Sequence, residues 1–106
     1  MWIFLSDAFL SVVAHRDKPD CLLVRARRRG DLEKLIGAET QVDVTEDADY
    51  LFRATVSRNV FAKVIADRVK AIDYDNFKSA IKDEAYHDAC LDVWATMREL
   101  QQREDD

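Results

Sequence analysis

Six basic residues crowd the stretch from Arg16 to Arg29: Arg16, Lys18, Arg25, Arg27, Arg28 and Arg29. If Cys21 to Arg27 forms a strand, Leu23, Arg25 and Arg27 share one face and Leu22, Val24 and Ala26 the other. Arg53 falls on the matching face of a second strand, opposite Phe52, Ala54 and Val56. Guanidiniums gathered on an open sheet face can bind phosphates or carboxylates through paired N–H donors. Arg25, Arg27 and Arg53 are therefore a candidate basic face for nucleic acid, which His15 joins if the strand register permits. The competing reading is a solvated face whose arginines pair with the acids of residues 43–49. Only Phe9 or Tyr50 is placed to stack on a base, and the Lys/Arg-Gly-aromatic signature of RNA-binding sheets is absent.

Carboxylates form the second constellation. Asp83, Glu84, Asp88 and Asp92, followed by Glu99 and the tail, make the last third of the chain a negative surface. Such a surface can steer a basic protein partner or imitate a phosphate backbone; the plainer reading is a solubilising outer helix face. His87 lies three and four residues after Glu84 and Asp83, so all three share a helix face. With no HExxH pair and His15 far away in sequence, no metal site is assigned. Between these constellations, Ile72-Asp73-Tyr74-Asp75-Asn76-Phe77-Lys78 interleaves aromatics with acids. It reads as a helix–helix corner with Tyr74 and Phe77 turned inward and Asp75 as cap, or else as an anchor for a partner.

Nucleophilic and cofactor chemistry find little support. Two glycines cannot build a phosphate loop or a dinucleotide fingerprint, and there is no GxSxG elbow and no CxxC. Cys21 sits in a strand and Cys90 in an apolar helical stripe, where an activated thiolate is not expected. No cofactor is expected, and the protein reads as a non-enzyme.

Composition narrows the frame around these residues. The chain has 106 residues, 48% hydrophobic and 35% charged, with a net charge of -5. That suits one folded domain over residues 1–102 followed by an acidic tail that frays, 103–106. Residues 1–72 hold 12 basic and 11 acidic groups, whereas residues 73–106 hold 4 and 10. Met1 to Leu5 is apolar but has no positive flank, and Asp7 interrupts the run, so it is not read as a secretory leader. No segment approaches the ~20 apolar residues of a membrane span. A cytoplasmic location is the expectation, with free thiols and no membrane contact.

The elements that must position these residues follow from spacing. Residues 2–5 and 9–15 are rich in aromatic and β-branched residues and read as two strands or one bent strand. Asp17-Lys18-Pro19-Asp20 is a turn, so residues 9–16 should pair with 21–28. Asp31 opens a short helix through Ile36, closed by Gly37. Residues 41–45 and 50–56 alternate as strands around an acidic turn. Ser57 caps a helix carrying Phe61, Val64, Ile65, Val69 and Ile72. Asp75 caps a short helix, and Asp83 caps the last, where Tyr86, Cys90, Val93, Met97 and Leu100 recur at +4, +3, +4, +3 and Leu91 and Trp94 widen the stripe. Leu23-Val24-Arg25-Ala26 also echoes Leu51-Phe52-Arg53-Ala54, by duplication or by chance.

The strings Met1-Trp2-Ile3-Phe4, Asp7-Ala8-Phe9-Leu10-Ser11, Leu22-Leu23-Val24-Arg25-Ala26-Arg27 and Ile72-Asp73-Tyr74-Asp75-Asn76-Phe77-Lys78, with the spacing from His87 to Val93-Trp94, resemble a group of small bacterial and phage proteins of unknown function. The likeness runs nearly the whole length and implies no mechanism. Small acidic proteins of mobile elements are often inhibitors of host defence, anti-CRISPR proteins included, an analogy of size, charge and setting.

The expectation is thus an α+β domain in two layers. A four-stranded, mostly antiparallel sheet carries helices on one face, in the order β-β-α-β-β-α-α. The last helix lies over the sheet, and Val24, Phe52, Val56, Phe61, Val64, Ile65, Ile81, Leu91 and Trp94 are core. The expected function is binding of a protein partner through the acidic helix, with the arginine sheet face as the nucleic-acid alternative.

Overall fold

The structure is a computed structural model and describes residues 1–105. The chain divides into two compact units, residues 1–73 and 74–106.

The first unit is an antiparallel sheet with helices packed on one face. Its strands are β1 (Trp2–Phe4), β2 (Phe9–Ala14), β3 (Cys21–Ala26), β4 (Asp43–Val44) and β5 (Phe52–Ser57), in the order β1-β2-β3-β5-β4. The helices are α1 (Asp31–Ile36) and α2 (Arg58–Lys70). The α+β class is as expected, but the strands number five rather than four. The apolar N-terminal run folds back on itself, and the Leu5 amide donates to the Ala8 carbonyl at 2.8 Å to close the bend at Ser6-Asp7. The proline turn holds as read: the Cys21 amide donates to the Lys18 carbonyl at 3.0 Å, and β2 and β3 pair antiparallel with Val12 opposite Val24.

Alternation sorts the side chains. Leu10, Val12, Val24, Ala26, Phe52, Ala54 and Val56 point to one face and meet Leu32 and Phe61 from the two helices, with Leu35, Ile36 and Ile65 around them. Leu10, Val24, Ala26 and Leu32 are fully buried. α2 starts where Ser57 Oγ accepts the Val60 amide at 3.1 Å. It ends at Lys70, so Ile72 lies outside it; Val69 and Ile72 are exposed rather than part of the buried stripe, and Val64 and Ile65 are half-buried. Gly37 ends α1 as expected, its positive φ of 115° suiting glycine and its amide reaching the Glu33 carbonyl. The expected strand 41–45 shrinks to Asp43–Val44, a short edge, which is a common way of blunting an open sheet margin.

The second unit holds α3 (Phe77–Ala80) and α4 (Glu84–Asp105). Tyr74 and Phe77 meet edge-on, 5.9 Å between ring centres, both half-buried. The cap of α3 is Asn76 rather than Asp75: its Oδ1 accepts the Ser79 amide at 3.1 Å. Asp83 caps α4 as expected, accepting the Tyr86 amide at 3.0 Å. Ile81, Tyr86 and Cys90 are buried. Leu91 and Trp94, expected in the core, are exposed, Trp94 by 48%. Nothing from Leu91 to Glu104 is buried.

Candidate interaction surfaces

α4 sorts its side chains by azimuth. At about 100° per residue, Tyr86, Cys90, Val93, Met97 and Leu100 share one side, while Glu84, Asp88, Asp92 and Glu99 share the opposite one. All four acids are exposed. Among the described residues, the one ion pair they make is between Asp88 and the neighbouring His87, at 3.5 Å. Asp83 stands apart from this row because its carboxylate is spent on the cap. The sequence therefore placed Glu84, Asp88 and Asp92 together correctly, as a solvated ridge. Among the described residues no three His, Cys, Asp or Glu side chains are gathered as metal ligands would be.

The apolar side has its own features. Val93, Trp94, Met97 and Leu100 are each well exposed. Lys78 Nζ lies 4.2 Å and the Arg98 guanidinium 5.6 Å from the Trp94 ring centre, contacts in which the ring face attracts the cations. Cys90 closes the buried end of the stripe. Burial pushes its thiol pKa up, with a hydrogen bond from Tyr86 opposing the shift, so it is a poor nucleophile.

The basic face assembles as the pattern indicated, and more tightly. Arg25 and Arg53 sit directly opposite each other across β3 and β5, so the two echoed segments meet about their arginines. The residue that gathers them is Tyr50, which lies before β5 and is buried. Arg25 and Arg27 place their guanidiniums 4.7 and 4.1 Å from its ring centre, and Arg53 Nε donates to its carbonyl at 3.3 Å. Arg25 also donates to Ser11 Oγ at 2.7 Å. Arg27 pairs with Asp49 at 3.0 Å, and this hydrogen bond raises its pKa further. The arginines thus hold the sheet's own residues, as the acid-pairing reading of Arg27 anticipated. His15 does not join them, since its Nδ1 accepts the Asp17 and Lys18 amides at 3.1 Å in the turn.

Sequence reasoning named Phe9 as a stacking aromatic but overlooked Trp2 and Phe4 on the same face. Trp2 and Phe4 lie across from Ser11 and Phe9, so their side chains share the face that carries Arg25 and Arg53. Phe4 stacks on Phe9 at 4.6 Å and Trp2 meets it edge-on at 6.3 Å, with Trp2 itself 70% exposed. The available signal was the period-2 spacing of Trp2 and Phe4, readable only once β1 is paired with β2.

An open apolar groove of about 490 Å³ runs between the sheet and α2, lined by Met1, Leu22, Arg58, Phe61 and Ile65 among others. No described helix is long and apolar enough to cross a membrane. No family model, curated protein or solved structure matches the chain.

Proposed function

We propose that the protein is a non-enzymatic binding protein whose acidic α4 face engages a basic surface on a protein partner, in the manner of a mobile-element inhibitor of host defence such as an anti-CRISPR protein. The observation that supports this is the ridge Glu84–Asp88–Asp92–Glu99, exposed and bare of Lys or Arg partners among the described residues. A structural helix commonly neutralises such acids with i+4 cations; this one leaves a negative field facing water, where it accelerates and orients encounter with a cationic partner.

Reversing Asp88 and Asp92 to lysine tests the proposal. Both are exposed, so the fold should persist, checked by far-UV circular dichroism. In a nuclease-treated lysate of the native host, the unaltered chain should retain a protein partner that the double variant binds ~10-fold or more weakly. Equal retention by both would reject the proposal.

A second reading rests on the face that joins Trp2, Phe4 and Phe9 to Arg25 and Arg53. Aromatics beside guanidiniums are what single-stranded nucleic acid stacks on and pairs its phosphates with. Its mark is a binding constant for an unstructured oligonucleotide that falls steeply as salt rises, because each phosphate contact releases counterions. A flat salt profile would remove it.

A further inference from the structure

Arg25 and Arg53 stand in direct register across β3 and β5. Residues so paired have Cα atoms about 4.5–5.5 Å apart and side chains on one face, and like charges in that position destabilise a sheet. Among the described residues neither arginine makes an ion pair, whereas Arg27 pairs with Asp49 and Arg68 with Asp7.

The acids of the sheet do not fill this need. Asp43 lies directly across from Arg53 on β4, yet Arg53 gives its Nε to the Tyr50 carbonyl and pairs with no carboxylate. Asp49 is taken by Arg27.

Donors are left over as well as charge. Each guanidinium has five N–H groups. Arg25 gives one to Ser11 Oγ, on a residue that is almost wholly buried, and its Nε is buried with no acceptor. Among the described residues no group accepts from the terminal nitrogens of Arg53. A buried donor without an acceptor is costly and rare, and an ion is one of its ordinary explanations. Arg68 also has a buried, unpaired Nε, but its guanidinium has Asp7 as counterion. Arg25 lacks both.

We propose that Arg25 and Arg53 form the seat of a phosphate group, held in position by Ser11 and by the ring and carbonyl of Tyr50. A phosphate monoester carries a charge of about -1.5 to -2 at neutral pH and three strong acceptor oxygens. It therefore balances two guanidiniums and gives each a fork of hydrogen bonds, where a carboxylate serves only one. Trp2, Ser11, Arg25, Arg53 and Asp43 follow one another in register across the sheet. That row sets an indole two strand spacings, about 10 Å, from the seat. A phosphate attached to a nucleobase is the source that uses both. In naming the terminal phosphate of a single-stranded nucleic acid as that source, the proposal rests on the stacking reading of this face; the seat itself does not, and the acidic ridge of α4 plays no part in it.

The test is proton–nitrogen correlation spectroscopy of the full chain, following the arginine Nε–H signals as inorganic phosphate replaces chloride at constant ionic strength. Parallel titrations use oligothymidine with and without a terminal phosphate. The signals of Arg25 and Arg53 should move together and saturate, while those of Arg16 and Arg68 stay in place. Arg53→Gln keeps a donor for the Tyr50 carbonyl and should bind phosphate ~10-fold or more weakly. Lys63→Gln removes a charge from α2 and should bind like the unaltered chain. The phosphorylated oligonucleotide should act at a concentration ~10-fold or more below that of the unphosphorylated one. If the two oligonucleotides act alike while inorganic phosphate saturates, the seat stands as one for free phosphate and the stacking reading alone is rejected. No saturable shift of Arg25 and Arg53 with phosphate in the unaltered chain, as when a carboxylate of the chain already neutralises the pair, would overturn the proposal, and so would equal affinity in a folded Arg53→Gln variant.

Discussion

Replacing Phe61 with alanine should lower the stability of the first unit by about 3–5 kcal/mol. Phe61 is 3% exposed and stands in the cluster formed by Val24, Phe52, Ala54 and Val56. It is the one side chain of α2 that is fully in the core, so its loss weakens both the helix and the sheet face beneath it. The loss has two parts, the transfer of the ring to water and the space left behind. The groove beside Phe61 lets water reach part of that space, which favours the lower half of the range. Phe61→Leu keeps most of the volume and should cost about 1–1.5 kcal/mol. Trp2 emission in a Trp94→Phe background reports on the sheet during urea titration. A loss under about 1 kcal/mol for the alanine variant would mean that α2 is not held by this ring.

Tyr50→Ala is the second large effect, again about 3–5 kcal/mol. The ring is 4% exposed and lies outside any strand, yet Arg25 and Arg27 both stack on it. Each such contact contributes roughly 0.5–1 kcal/mol beyond burial. Removing the ring leaves the guanidiniums of Arg25 and Arg27 without the surface they lie against. The carbonyl that accepts from Arg53 survives the substitution, so the loss reads the ring alone. Tyr50→Phe, which keeps the ring, should fall by about 1 kcal/mol or less. Similar losses for the two variants in urea titration would mean that the hydroxyl, not the stacked ring, holds the arginines.

Much of this architecture is legible in the residues. The proline turn, the caps Ser57 and Asp83, and Gly37 each act through a local hydrogen bond or dihedral that a short stretch of sequence specifies. Alternation put Arg25 and Arg53 on matching strand faces; that they stand directly opposite each other is set by the pairing of β3 with β5, which the sequence reading did not include. Where the reading went astray, the missing information was spatial. The spacing of Leu91 and Trp94 says that α4 has an apolar side; it cannot say whether that side is covered within the chain, and both are exposed. Asp75 and Asn76 have equal chemistry for capping, and the backbone decides between them: Asn76 is the residue with extended φ and ψ at the start of α3. Tyr50 escaped notice as an organiser because the partners of its ring, Arg25 and Arg27, lie more than twenty residues away in the chain. The strand 41–45 has the right alternation, but an edge with two paired residues is set by its neighbour, not by its own pattern.

If α4 carries the partner contact proposed above, recognition and folding become a single event in its exposed half. Beyond Cys90 no described side chain is buried, so little besides intrahelical hydrogen bonds opposes local melting there. In the free chain those amides should exchange their hydrogens long before the sheet does. Whatever settles on this segment must also hold it as a helix, and the free energy of ordering is subtracted from the free energy of contact. Under that proposal, affinity would depend also on residues of α4 that lie outside the contact. A better helix former on the outward side would tighten binding, and a glycine there would loosen it, by changing how often the docking shape exists at all.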